Sequence, residues 1–310
     1  MGIPAKWNLT IGHLPHGPLN KISDVPGVTV GHCTLADGDV QTGVTALLPH
    51  QGDLFHDRCP AAVHVINGFG KSAGLVQVQE LGYLETPLIL TNTLSVGTAF
   101  TACVRYMLAR NDQIGRAEST VNPVILECND GYLNDIRGLH VTEDHVFAAL
   151  DAADTAFALG AVGAGRGMSC YHLKGGIGSA SRIVTVGGQH FTLGALVQTN
   201  HGHLDDLRID GQPVGRQIRD GIFQQKVDKG SCIVVIGTNL PLSDRQLKRV
   251  LMRAAVGLAR NGSYIGHGSG EVVVGFSNAN RIELTESRGV VEQRILNEAL
   301  MDAPFRACAE

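Results

Sequence analysis

The stretch Lys229-Gly-Ser-Cys-Ile-Val-Val-Ile-Gly-Thr-Asn-Leu-Pro241 decides how the chain is read. Ile233–Ile236 is a continuous apolar, mostly β-branched run, so it reads as a buried strand. Gly230 stands just before it, and Asp228-Lys229 before that is polar and turn-like. Ser231 therefore sits where a loop enters a core strand, behind a residue with no side chain. Glycine lets another group approach the Gly230 carbonyl closely, and a strand start holds a serine rigidly, as a nucleophile requires. Taken alone, Gly-Ser before a strand is also ordinary turn chemistry.

Outward from this stretch, short apolar runs alternate with glycine and proline. Residues 19–33, 42–48, 61–67, 88–92, 124–127, 182–186 and 191–199 read as strands. Residues 95–110 read as a helix with Phe100, Cys103, Val104 and Met107 on one face, and Thr142 caps a second over about 143–158. Ser243 and Gln246 form a capping box, after which Leu247, Val250, Leu251, Ala254 and Leu258 recur at helical steps until Asn261-Gly262 stops them. Ser269 and Glu271 follow in Gly266-His-Gly-Ser-Gly-Glu271; in an extended chain they project to one face. No repeat of fixed period and no Pro- or Ser-rich linker divides the chain, so residues 1–310 read as one domain.

Composition narrows the function. A chain of 310 residues that is 44% hydrophobic can bury a large core. A net charge of −4 without dense Lys/Arg runs argues against nucleic-acid or membrane-surface partners. The apolar stretches are strand-length and broken by glycine, which predicts no membrane helix. Met-Gly-Ile-Pro-Ala-Lys-Trp7 has no signal-peptide core, and the seven scattered cysteines lack a Cys-x-x-Cys; reduced thiols and a cytoplasmic location are expected. The glycines of 160–168 and 174–182 match neither dinucleotide nor Walker spacing, so tight turns around a cleft are expected there. His32 is expected to be structural. His201 and His203 lack the further ligands a metal needs, so they are expected as solvated loop residues, and no metal or cofactor is expected.

Several stretches together resemble the DmpA and β-peptidyl aminopeptidase family, of self-processing serine aminopeptidases. They are Ser23-Asp-Val-Pro-Gly-Val-Thr-Val-Gly-His32, Thr42-Gly-Val-Thr-Ala46, 127–135, 160–182, 193–200, Gly230-Ser-Cys-Ile-Val-Val-Ile236, Gly257-Leu-Ala-Arg-Asn-Gly262 and Gly266-His-Gly-Ser-Gly-Glu271, in the family's order from about residue 10 onward. The resemblance implies an α+β fold, a four-layer α/β/β/α sandwich like that of N-terminal nucleophile hydrolases. It also implies self-cleavage between Gly230 and Ser231, giving chains 1–230 and 231–310, with Ser231 as nucleophile and Ser269 and Glu271 as its support.

The same resemblance gives Asn200 as the oxyanion donor and Glu127 as the carboxylate that receives a substrate's amine; Asn239, in Gly237-Thr-Asn-Leu-Pro241, is a weaker oxyanion candidate that the resemblance does not match. Tyr132 and Asp130 are placed with substrate binding, although Asp130-Gly131 also reads as a turn. The expected substrates are short peptides, amides or esters with a free amino terminus, and a homo-oligomer of processed units is implied. Two other readings stay open. One is acyl transfer of the ornithine acetyltransferase type, which uses threonine in a different local motif; the other is an uncleaved, non-catalytic member. In the family the sequence continues beyond Phe305-Arg-Ala-Cys-Ala-Glu310, a departure that bears first on stability and assembly.

Overall fold

A computed structural model describes residues 10–218, 230–283 and 289–310. Nine strands carry the architecture: β1 (Thr29–Asp37), β2 (Val40–Leu48), β3 (Asp57–Gly68), β4 (Leu88–Asn92), β5 (Val124–Cys128), β6 (Gly176–Val186), β7 (Gln189–Asn200), β8 (Ser231–Thr238) and β9 (Gly270–Ser277). One sheet runs β1-β2-β4-β5. The other runs from the two-residue strand Ile282–Glu283 through β3, β9, β8 and β7 to β6, with Tyr83–Leu84 also on β3.

The apolar run that opens β8 is explained by its neighbours. β8 pairs antiparallel with β7 and parallel with β9, and all eight of its residues are buried. Ile233 and Val235 enter a core between the two sheets, with Val30, Leu47, Leu90, Leu126, Val272 and Val274. Cys232, Val234 and Ile236 point the other way, onto a second core built with α3 (Asp244–Leu251), α4 (Ala254–Arg260) and α5 (Asp302–Ala309). Across the smaller sheet, Val44, Ala46 and Ile89 pack with α1 (Val96–Leu108) and α2 (Glu143–Asp151). Helices, sheet, sheet and helices thus form four layers, and a strand covered on both faces needs apolar residues at every position.

Local chemistry sets the element ends. The Ser243 hydroxyl accepts from the Gln246 N–H at 3.2 Å, and the Gln246 side chain accepts from the Ser243 N–H at 3.3 Å, so the capping box forms as expected. The helical pattern after it splits into α3 and α4. The Arg253 N–H bonds the Val250 carbonyl at 2.9 Å, a tightened turn that breaks the run. α2 is shorter than expected because Asp154 exchanges two backbone hydrogen bonds with Val30 on β1, which draws the chain out of the helix.

Between β3 and β9 the register shifts: Asn67 faces Glu271 while Val65 faces Val272, leaving Ile66 as one extra residue in β3. Such a bulge bends the strand and re-aims the side chains beyond it. Of the glycines at 163–165, Gly163 lies against β1 and β2, and Gly165 against the backbone of Gly176 and Ile177 at the start of β6. A Cβ at Gly163, whose φ is +50°, would meet the Thr45 Oγ1 at 2.5 Å. His32 is held by Thr45 Oγ1 at 2.9 Å and the Ala158 carbonyl at 3.1 Å, a structural place. No helix among the described residues is long and apolar enough to cross a membrane.

Candidate active site

The strands deliver the site at one end of the gap between the sheets. Ser231, Gly270 and Asn200 are neighbours in register: Asn200 lies opposite Ser231 across β7–β8, and Gly270 lies beside it across β8–β9. Ser231 shares a face with Ile233 and Val235, because strand side chains alternate, so it faces the space between the sheets. It is 4% exposed, and its hydroxyl donates to the Gly230 carbonyl at 2.8 Å. The Gly270 N–H donates to that same carbonyl at 3.3 Å. The hydroxyl therefore lies against the carbonyl of the bond before it, and a backbone donor is already aimed at the oxygen on which negative charge would grow.

Asn200 is fixed from both ends. Its Oδ1 accepts the Ser169 N–H at 2.9 Å and its Nδ2 donates to the Asn129 carbonyl at 2.7 Å, which settles the amide orientation and leaves a second N–H on Nδ2. The Ser169 loop is itself pinned. Lys174, an exposed residue, places its ammonium on the carbonyls of Gly165, Met168 and Gly175 at 3.3, 2.8 and 2.9 Å. Burial of that ammonium and the nearby Arg166 lower its pKa to about 8.

Ser269 and Glu271 meet as their spacing suggested: the Ser269 hydroxyl donates a short hydrogen bond to Glu271 Oε1, and the two are 0% and 1% exposed. The turn that presents them is tied by Asn67, whose Nδ2 donates to the carbonyls of Gly266 at 3.0 Å, His267 at 3.3 Å and Ser269. Asn67 is positioned by the bulge in β3.

Glu127, 2% exposed on β5, accepts from the Lys71 N–H at 2.7 Å and from the Thr93 hydroxyl in a short bond. Both donors are neutral, and no cationic side chain among the described residues pairs with it. A buried carboxylate in that condition is a ready seat for an ammonium group.

Other expected residues fall differently. Asp130 is buried with Thr42 Oγ1 at 2.6 Å and Asn134 Nδ2 at 3.0 Å on its two oxygens, and burial raises its pKa above the usual carboxylate range. It holds the 129–135 loop and with it the Asn129 carbonyl. Tyr132 is 58% exposed on that loop. Asn239 is not at this site. It lies beyond the opposite end of β8, on the order of 25 Å along the strand from Ser231, and its Oδ1 accepts the Thr192 N–H at 2.7 Å. His201 is buried edge-on to Tyr171 rather than solvated, and His203 stacks on Tyr264; no cluster among the described residues has the makings of a metal site.

The Gly270 N–H, Asn67, Thr93 and the Lys71 N–H escaped the sequence reading. Only Asn67, a polar residue closing an apolar strand, carried any signal there.

The sequence pattern of peptidase family S58 matches residues 20–310. The β-peptidyl aminopeptidase BapA of Sphingosinicella xenopeptidilytica is 40% identical over 290 residues, which cover 86% of this chain and 72% of that one. Among solved structures, the PH0078 protein of Pyrococcus horikoshii OT3 aligns at 48% identity with a TM-score of 0.95, over 99% of this chain and 88% of that one. The L-aminopeptidase D-Ala-esterase/amidase of Ochrobactrum anthropi, described as a prototype serine aminopeptidase with a variant of the Ntn hydrolase fold, aligns at 38% identity and 0.89, over 97% and 86%. Named relatives of both kinds are aminopeptidases, which favours that reading over acyl transfer and over a non-catalytic subunit.

Proposed function

We propose, from the premise that the chain belongs to peptidase family S58 and is an aminopeptidase with the Ntn-hydrolase type of fold, that Ser231 is both its processing residue and its nucleophile. Its substrates are peptides or amides, and esters with a free amine fall within the same chemistry. In the uncut chain the Ser231 Oγ attacks the Gly230 carbonyl carbon. An ester C–O bond forms, the peptide C–N bond breaks, and the hydroxyl proton ends on the departing nitrogen. Water then hydrolyses the ester, leaving one catalytic domain in two chains, 1–230 and 231–310.

The freed α-amine of Ser231, with a reference pKa of about 8, then serves as base for its own hydroxyl. That hydroxyl attacks a substrate carbonyl to give an acyl-enzyme and release the amine product, and water completes the cycle. The second N–H of Asn200 and the N–H of Gly270 flank the point of attack and stabilise the oxyanion, each donor worth about 10²–10³ in rate. Ser269 and Glu271 form the buried acceptor pair that orients the new amine. Glu127 receives the substrate's ammonium, and exposed Tyr132 contributes the aromatic wall of the pocket. Asp130 acts through the loop it holds.

The register that sets Ser231 between Asn200 and Gly270 carries this reading. Mass measurement tests it: wild type should give a fragment beginning at Ser231, and Ser231→Ala should remain one chain of 32.8 kDa without amidase activity. An intact, active wild type would overturn it. Two further parts of the proposal are a cytoplasmic location, supported by seven free thiols, and a homo-oligomer of processed units, for which exposed Val76 and Val290 offer apolar surface. Sizing chromatography checks the second.

A further inference from the structure

Between the amine-binding carboxylate and Gly270, the strand neighbour of the nucleophile, runs a short segment that touches both. The chain leaving β3 passes through Phe69, Gly70 and Lys71; the Lys71 N–H holds Glu127 Oε1 at 2.7 Å. At Gly70 the same segment lies against Gly270. A Cβ on Gly270 would sit 2.9 Å from the Phe69 carbonyl and 3.1 Å from both the Cα and the N of Gly70, so the two backbones meet where only glycine fits. A Cβ on Gly70, in turn, would lie 3.3 Å from Glu127 Oε1 and 3.9 Å from the Gly270 Cα. The volume Gly70 leaves open is thus the volume between the carboxylate and the oxyanion-donating glycine. Gly70 is exposed, so that volume opens to solvent and to substrate.

We propose that segment 69–71 is a spacer fixing the distance from the amine-binding carboxylate to the nucleophile, and that Gly70 determines whether an α- or a β-aminoacyl group fits between them. The inference rests on the roles given above to Ser231 and Glu127 and deepens them. A substrate's amine and scissile carbonyl are separated by one carbon in an α-aminoacyl group and by two in a β-aminoacyl group. The site must span that separation, with Glu127 bonded to the segment and Gly270, beside Ser231, packed against it. A methyl group beside Glu127 Oε1 pushes the ammonium toward Ser231 and shortens the span, which penalises the longer group more. One methylene of misfit is worth about 10-fold or more in discrimination.

Gly70 is not among the glycines with positive φ, so alanine suits its backbone. The test compares α-alanyl and β-alanyl p-nitroanilide on wild type and Gly70→Ala, with self-cleavage, which involves no substrate amine, as the check on folding. The expected result is complete self-cleavage and a ratio of kcat/KM values shifted toward the α-substrate by about fivefold or more. A ratio equal to that of wild type overturns the proposal.

Should Gly70→Ala not process, Thr93→Val decides. Freeing Glu127 Oε2 leaves the carboxylate held only by the Lys71 N–H, so its distance from Ser231 is less sharply fixed and the α/β ratio should move toward unity; wild-type selectivity in a processed Thr93→Val enzyme overturns the proposal. Glu127→Gln separates the two levels of the argument. An unchanged KM there sinks the amine-binding role itself, whereas a raised KM with an unaltered Gly70→Ala ratio sinks only the spacer.

Discussion

Asn200, proposed as the oxyanion donor, shows how much of such a group's worth would lie in what holds it. Ser169 and Asn129 occupy its Oδ1 and one Nδ2 hydrogen, so only the remaining hydrogen can face a substrate. Asn200→Ala should therefore lower kcat by about 10²–10³ with KM little changed, read from steady-state kinetics. Asn200→Asp should lose as much, since a carboxylate offers no donor; near-normal turnover in either variant would remove Asn200 from the mechanism. At this scale the sequence was legible where chemistry lay in neighbouring residues. Ser269 and Glu271 are two apart, and an extended backbone brings them together without help from the fold. Asn239 misled for the complementary reason. Its closeness to Ser231 in sequence is the length of a strand, and a strand carries its two ends apart.

The elements that bear these residues owe their stability to caps, apolar faces and loop clasps. Ser243→Ala removes the α3 cap and should destabilise the protein by about 1 kcal/mol in denaturant melts. Leu247→Ala, on the buried face of α3, should cost about 2–5 kcal/mol, by lost burial and the cavity left behind. A clasp joins two loops through His56, which bonds Asp53 Oδ2 and Glu118 Oε1, each at 2.7 Å. Hydrogen bonding to Asp53 first, then to Glu118, raises the His56 pKa, and His56 in turn holds both carboxylates low. With the folded-state pKa above the unfolded one, the clasp's contribution is full below about pH 6.5 and fades as pH rises through the raised value. The Tm difference between wild type and His56→Gln should accordingly shrink from pH 6 to pH 9, and a constant difference would exclude the charged clasp. Periodicity located α3 because its cap and its face are both local. It overran α2 because the Asp154–Val30 exchange that ends that helix joins residues 124 positions apart in the chain.

At the scale of the whole molecule, the segment from 231 onward supplies β8 and β9, strands inside the larger sheet, together with α3, α4 and α5 on its outer face. Cutting before Ser231 should therefore yield two bands on a denaturing gel and an undivided particle in native sizing; fragments that separate without denaturant would contradict this placement. The layering itself was legible through family resemblance and not through pattern, because an apolar run states that a strand is covered without stating by what. The extra residue in β3 draws a consequence from the same architecture. Deleting Ile66 would let the ladder close evenly, yet it would turn Asn67 outward and untether the bend presenting Ser269. Such a protein should fold, show native circular dichroism, and persist as a dormant zymogen of full mass: a shape kept while its trigger is lost.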